Sequence, residues 1–285
     1  MRRTPRARPL GLILLAALLP AACAVNSLDG SREGVASASA TRIDTGRAVV
    51  DVENGQIELP LDRYFHSDQE MWAMEYASDL LMADCMEEEG LQFKALDYRE
   101  QEVRTTRRYG IWRKVEALAL GYRKPPDDAI RTEAMALNAG DRSPEWQARY
   151  QTCIKDQRLA DLRVDAPPNG LEGLDSYELA MVSDDGAAAW RAWADCLEGQ
   201  GLTPPSEGEW ISRGWATANL ERQISTAIAD VDCKDSLNTV QVMADIEAEY
   251  QAGMLAGKEA LYEEQSRLLD DALKRANEVI RAHGG

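Results

Sequence analysis

The spacing of hydrophobic positions changes twice along this chain. From Leu10 to Leu19 they run almost unbroken. From residue 24 to about 55 large apolar side chains are scarce, and from Ser67 onward they recur every three or four residues. That last spacing belongs to helices with one buried face. Met71, Met74, Ala77, Leu81 and Cys85 form one such series. Ser67-Asp68-Gln69-Glu70 precedes it as a capping box, in which Ser67 and Glu70 each satisfy an orphan N–H, and Gly90 fits the C-terminal cap. Ser143-Pro144-Glu145-Trp146 predicts another helix start, with Pro144 at the first helical position. Ser206-Glu207-Gly208-Glu209 repeats the capping-box pattern ahead of Trp210 and Ile211. Ser236 to Arg281 holds no proline and carries Val242, Ile246, Tyr250, Leu261, Leu268, Leu269, Leu273, Ala276 and Ile280, the pattern of one long helix or two. Strand signals are sparse after residue 65, and Val49 to Leu61 alternates only loosely. The expected fold is an all-α domain from about 58 to 283.

The chain repeats itself once. Ala83-Asp84-Cys85-Met86-Glu87-Glu88-Glu89-Gly90-Leu91 and Ala194-Asp195-Cys196-Leu197-Glu198-Gly199-Gln200-Gly201-Leu202 share six of nine residues, 111 positions apart. One further cysteine follows each copy, Cys153 or Cys233. This predicts two related helical units, about 58–165 and 175–240, followed by a C-terminal helix at about 236–282. Each unit is stapled once, Cys85 to Cys153 and Cys196 to Cys233. The competing connectivity joins the equivalent cysteines, Cys85 and Cys196. Paired cysteines belong in an oxidising compartment, and Cys-x-x-Cys, the usual redox spacing, is absent.

The N-terminus points to the same compartment. Arg2, Arg3, Arg6 and Arg8 precede the apolar run, and Pro20-Ala21-Ala22-Cys23 closes it. A basic start, an apolar stretch and small residues make a secretory signal. A cysteine directly after them has the form of a bacterial lipoprotein signal, with Cys23 acylated and residues 1–22 removed; an ordinary cleaved signal with Cys23 incidental is the alternative. Leu10–Ala22 is 13 positions, against about 20 needed to span a bilayer. Residues 23–57 read as a lipidated flexible tether, too poor in apolar surface to offset the entropy of ordering. Processing would remove four arginines and no acids, taking the formal charge from −17 to −21. Such a chain has no basic face for nucleic acid, and anionic headgroups repel it. Attachment to the membrane therefore falls to the acyl chains.

Candidate chemistry is thin. The two histidines, His66 and His283, sit before a helix cap and near the C-terminus. No nucleophile elbow, Ser-x-x-Lys, zinc or calcium motif is present, so no catalytic residue, metal or cofactor is assigned. Gly253-Met254-Leu255-Ala256-Gly257-Lys258 is one residue short of a phosphate loop and lies in a helical pattern. The acidic clusters Glu87–Glu89, Asp127-Asp128 and Asp270-Asp271 read as solvated helix faces. Trp190 and Trp193, one helical turn apart before Cys196, are either core around a disulfide or a surface for stacking on sugars or peptides of the cell wall.

Leu59-Pro60-Leu61-Asp62-Arg63-Tyr64, Leu80 to Met86 with Gly90, Arg107-Arg108-Tyr109-Gly110-Ile111 and Ala119-Leu120-Gly121-Tyr122 together resemble a family of uncharacterised actinobacterial surface lipoproteins. The resemblance runs from about residue 57 to the C-terminal helix; Leu91 stands where that family typically has Phe. It implies a paired-cysteine helical layout on the outer face of the cell membrane and carries over no activity. Two classes of function follow. One is a non-enzymatic binding or scaffold lipoprotein, accessory to a transporter or to cell-wall machinery, with a protein or cell-wall partner. The other is an envelope hydrolase with two carboxylates facing each other roughly 5–10 Å apart across a groove.

Overall fold

The computed structural model describes residues 47–99, 105–124, 143–165 and 175–284, with Thr132, Ala136 and Asn138. Residues 1–46, which hold Cys23, the expected signal and most of the expected tether, lie outside the described residues, as does Asp127-Asp128. Among the described residues the fold is helical apart from one antiparallel hairpin, β1 (Val49–Asp51) with β2 (Gln56–Glu58), in which Val50 pairs with Ile57. The hairpin occupies the loosely alternating stretch that begins at Val49. Ala48 and Leu59 at its ends are buried, and α9 (Thr239–Leu255) holds its start: Asp245 accepts the Ala48 N–H at 3.1 Å and Gln241 donates to the Ala48 carbonyl.

Helix α1 (Asp68–Glu87) begins at the expected box, with Ser67 Oγ accepting from Glu70 N and Glu70 accepting from Ser67 N. Its end explains the repeat. Gly90 adopts a left-handed conformation, Leu91 N–H donates to the Met86 carbonyl at 3.0 Å, and Gly90 N–H donates to Glu87. Helix α6 (Asp184–Gly199) closes identically: Gly201 is left-handed, and Leu202 and Gly201 donate to Leu197 and Glu198. These paired bonds form the Schellman C-cap. The repeated segment is thus a helix end carrying a cysteine, its glycine set by the cap and its leucine by packing.

Two cores lie under these helices. The first gathers α1, α3 (Pro144–Cys153), α4 (Gln157–Ala160) and the C-terminal half of α10 (Glu259–Ala282), around Leu81, Met86, Trp146, Leu159, Ala276 and Ile280. Cys85–Cys153 staples it. The second gathers the hairpin, α5 (Ser176–Val182), α6 and α9 around Tyr109, Trp112, Trp193, Trp210 and Met243, with Cys196 bonded to Cys233 on α8 (Leu220–Ser236). Both pairings are those the repeat predicts. The units are not contiguous in sequence, however. Helix α2 (Lys114–Leu120), from the first expected unit, packs on α8 through Ile111, Ala117, Tyr122, Ala227 and Val231, and α10 closes over α1.

The C-terminal segment is two helices, broken after Leu255 by a turn containing left-handed Gly257. The capping box expected at Ser206 does not start a helix. Gly208 turns left-handed, Trp210 folds inward, and the short α7 (Arg213–Ala216) starts from Ser212 instead.

Candidate functional site

The densest chemistry sits where the loop 105–112 crosses between α5, α8 and α9. Two buried ionic clusters meet there. In the first, Glu247 of α9 is 0 % exposed. Arg108 grips it with two nitrogens, Nε lying 2.7 Å from Oε2. Tyr109 OH donates at 2.7 Å and Ser176 Oγ at 2.8 Å. Gln251, one turn on from Glu247, donates to Ser176 Oγ and accepts the Leu61 N–H. The Glu247 carboxylate thereby ties together three segments distant in sequence, and Gln251 adds a fourth at Leu61. Burial pushes the Tyr109 phenol up, and the Glu247 charge adds to the shift. For Arg108, burial works against the charged form, but Glu247 outweighs it and the net shift is upward.

The second cluster lies within α8. Asp230 and Lys234 are 0 % and 1 % exposed, with Lys234 Nζ 2.9 Å from Asp230 Oδ1. Trp193 Nε1 donates to Oδ1 at 2.9 Å and Tyr122 OH donates to Oδ2 at 3.1 Å. Nζ also donates to the Ile111 carbonyl at 2.8 Å and faces the rings of Trp193 and Trp210, their centroids 5.0 and 5.4 Å away. Burial raises the Asp230 carboxyl and lowers the Lys234 amine, both toward neutrality.

Tyr109 and Trp210 join the clusters, edge to face at 5.9 Å, and Trp210 Nε1 donates to Tyr177 OH. Gly110 sits at this junction with φ of 78°. A Cβ there would lie 2.9 Å from Trp210 Cβ and 3.0 Å from Lys234 Nζ. Every residue of Arg107-Arg108-Tyr109-Gly110-Ile111 is therefore engaged, since Arg107 pairs with Glu116 at 2.7 Å through Nε.

Trp190 and Trp193, expected either as core or as ligand-stacking residues, are core. They are 7 % and 0 % exposed, edge to face with each other, and their indole N–H groups are taken by the Glu209 carbonyl and Asp230. Neither ring faces solvent, so stacking on a glycan is excluded for Trp193. Asp230, Lys234 and Glu247 carried no signal in the sequence, because Asp and Lys one turn apart usually mark a solvated face.

An open surface groove of about 510 Å³ lies elsewhere, lined by Arg63, Tyr64, Glu263, Ser266, Arg267 and Asp270. Arg63 covers the Tyr64 ring, and Arg267 pairs with Glu264 and Asp271. Glu263 and Asp270 stand seven residues apart on α10, roughly 10 Å along one wall. Among the described residues no group of three or more His, Cys, Asp or Glu is arranged to hold a metal ion, and no helix is long and apolar enough to cross a membrane. No protein-family model, curated protein or solved structure matches the chain.

Proposed function

We propose that the chain is an exported lipoprotein, held on the outer face of the cell membrane by acyl chains on Cys23, whose folded part is a non-enzymatic binding or scaffold module. The bonded cysteine pairs, Cys85–Cys153 and Cys196–Cys233, carry the reading. Such bonds persist in an oxidising compartment, and residues 1–23 have the form of the signal that leads there. The resemblance to actinobacterial surface lipoproteins agrees with this placement. A scaffold role draws support from the buried ionic groups: Glu247, Asp230 and Lys234 are all engaged by partners within the fold. A glycan hydrolase asks for two carboxylates facing each other across a groove, whereas Glu263 and Asp270 share one wall.

Membrane fractionation of wild type and Cys23→Ser tests the proposal. The serine variant is expected in the soluble fraction or as an unprocessed precursor. A variant that is processed and fractionates like wild type overturns it. The partner is sought by mild cross-linking of intact cells, followed by purification from membranes.

A further inference from the structure

We propose that Lys234 and Asp230 condense into an intramolecular amide bond, a covalent staple inside α8. The reacting groups are already in place. Nζ lies 2.9 Å from Oδ1 on successive turns of one helix, and reactants held at such distances gain the advantage of an intramolecular encounter. Both side chains are fully buried, walled by Trp193, Trp210 and Tyr122. A buried ion pair carries a desolvation cost of several kcal/mol per ion. Condensation removes both charges from a site screened from bulk solvent, so burial favours the neutral amide where bulk water would favour hydrolysis.

The chemistry balances without a co-reactant. The Lys234 ammonium passes one proton to the Asp230 carboxylate, leaving a neutral amine and a carboxylic acid. This neutral pair is the one burial favours, lowering Lys234 and raising Asp230. The nitrogen lone pair then attacks Cγ and the C–N bond forms. One carboxyl oxygen takes a second proton from the nitrogen and leaves as water; the other remains as the amide carbonyl. Nothing is oxidised or reduced. Each carboxyl oxygen already faces a donor, Trp193 Nε1 on Oδ1 and Tyr122 OH on Oδ2. Whichever remains, negative charge developing on it during attack is met by a fixed hydrogen bond. Burial, reinforced by Asp230, keeps the Tyr122 phenol protonated as that donor.

The test uses the full-length chain purified from cells, denatured, reduced and treated with an amine-acetylating reagent. Cleavage at arginine releases Gln223–Arg267, whose two lysines are Lys234 and Lys258. The proposal predicts a peptide lighter than its sequence by one water and acetylated once, at Lys258. The peptide is its own control, because Lys258 reports that the reagent reached it. Acetylation of Lys234, or a peptide lacking the loss of water, overturns the proposal. A cyclic imide at Asp230 would also lose water but leaves the Lys234 amine free, so it counts against the bond.

Discussion

At the residue scale, Glu247 has the most to lose. Removing its carboxylate takes from the half-buried Arg108 its only hydrogen-bonded carboxylate among the described residues, and strands Tyr109 OH and Ser176 Oγ. Breaking one side of a buried pair costs about 3–5 kcal/mol, so Glu247→Ala should lower the denaturant midpoint by a matching amount. Gly110→Ala combines a left-handed backbone with a Cβ driven against Trp210. Its loss should exceed the roughly 1–2 kcal/mol of the backbone conformation alone. Asp79 of α1 supplies the pH dependence. Burial raises its carboxyl to about 6, against a partial offset from the Leu96 N–H. The folded chain therefore holds an extra proton between about 4 and 6, and this contribution to stability grows as pH falls through that window and is lost as pH rises through 6. Melting curves from pH 4 to 7 should show this slope reduced in Asp79→Asn. None of these three environments was legible from spacing. A buried Glu, a glycine at a close approach and a half-buried Asp are each made by chain segments distant in sequence.

At the element scale, the repeat gave the most reliable reading. Its six shared residues encode one local structure, a helix end with a left-handed glycine, so no distant contact was needed to read it. Gly90 and Gly201 isolate that local cost, because a Cβ at either meets nothing within 4 Å. Gly90→Ala and Gly201→Ala should each lose about 1–2 kcal/mol, nearly equal, by chemical denaturation; a large difference would mean that the two caps are not equivalent. Ser67 and Ser143 began helices as their patterns predict. Ser206 did not, because Gly208 and the burial of Trp210 overrode a signal carried by only two residues. The hairpin at 49–58 was hard to see for a similar reason. Its three-residue strands are held by Asp245 and Gln241, nearly two hundred residues away.

At the scale of the whole molecule, the cysteine pairing could be deduced from the repeat, while the way the units interleave could not. Helix α2 crosses to α8 and α10 returns to α1, contacts with no trace in the spacing of either helix. Each staple closes a long loop, 68 and 37 residues in separation, and is worth about 4 kcal/mol in the chain-entropy model. Replacing Cys196 and Cys233 together by alanine should lower the melting temperature measurably while leaving any lipidation at Cys23 intact. Attachment to the membrane is the property on which the proposed role depends, and the mature N-terminus reports it directly. Tryptic digestion of protein taken from membranes should yield Cys23–Arg32 as the first peptide, heavier than its sequence by the attached lipid. A Cys23 that carries no lipid, or lies inside a longer N-terminal peptide of the mature protein, would contradict the anchor.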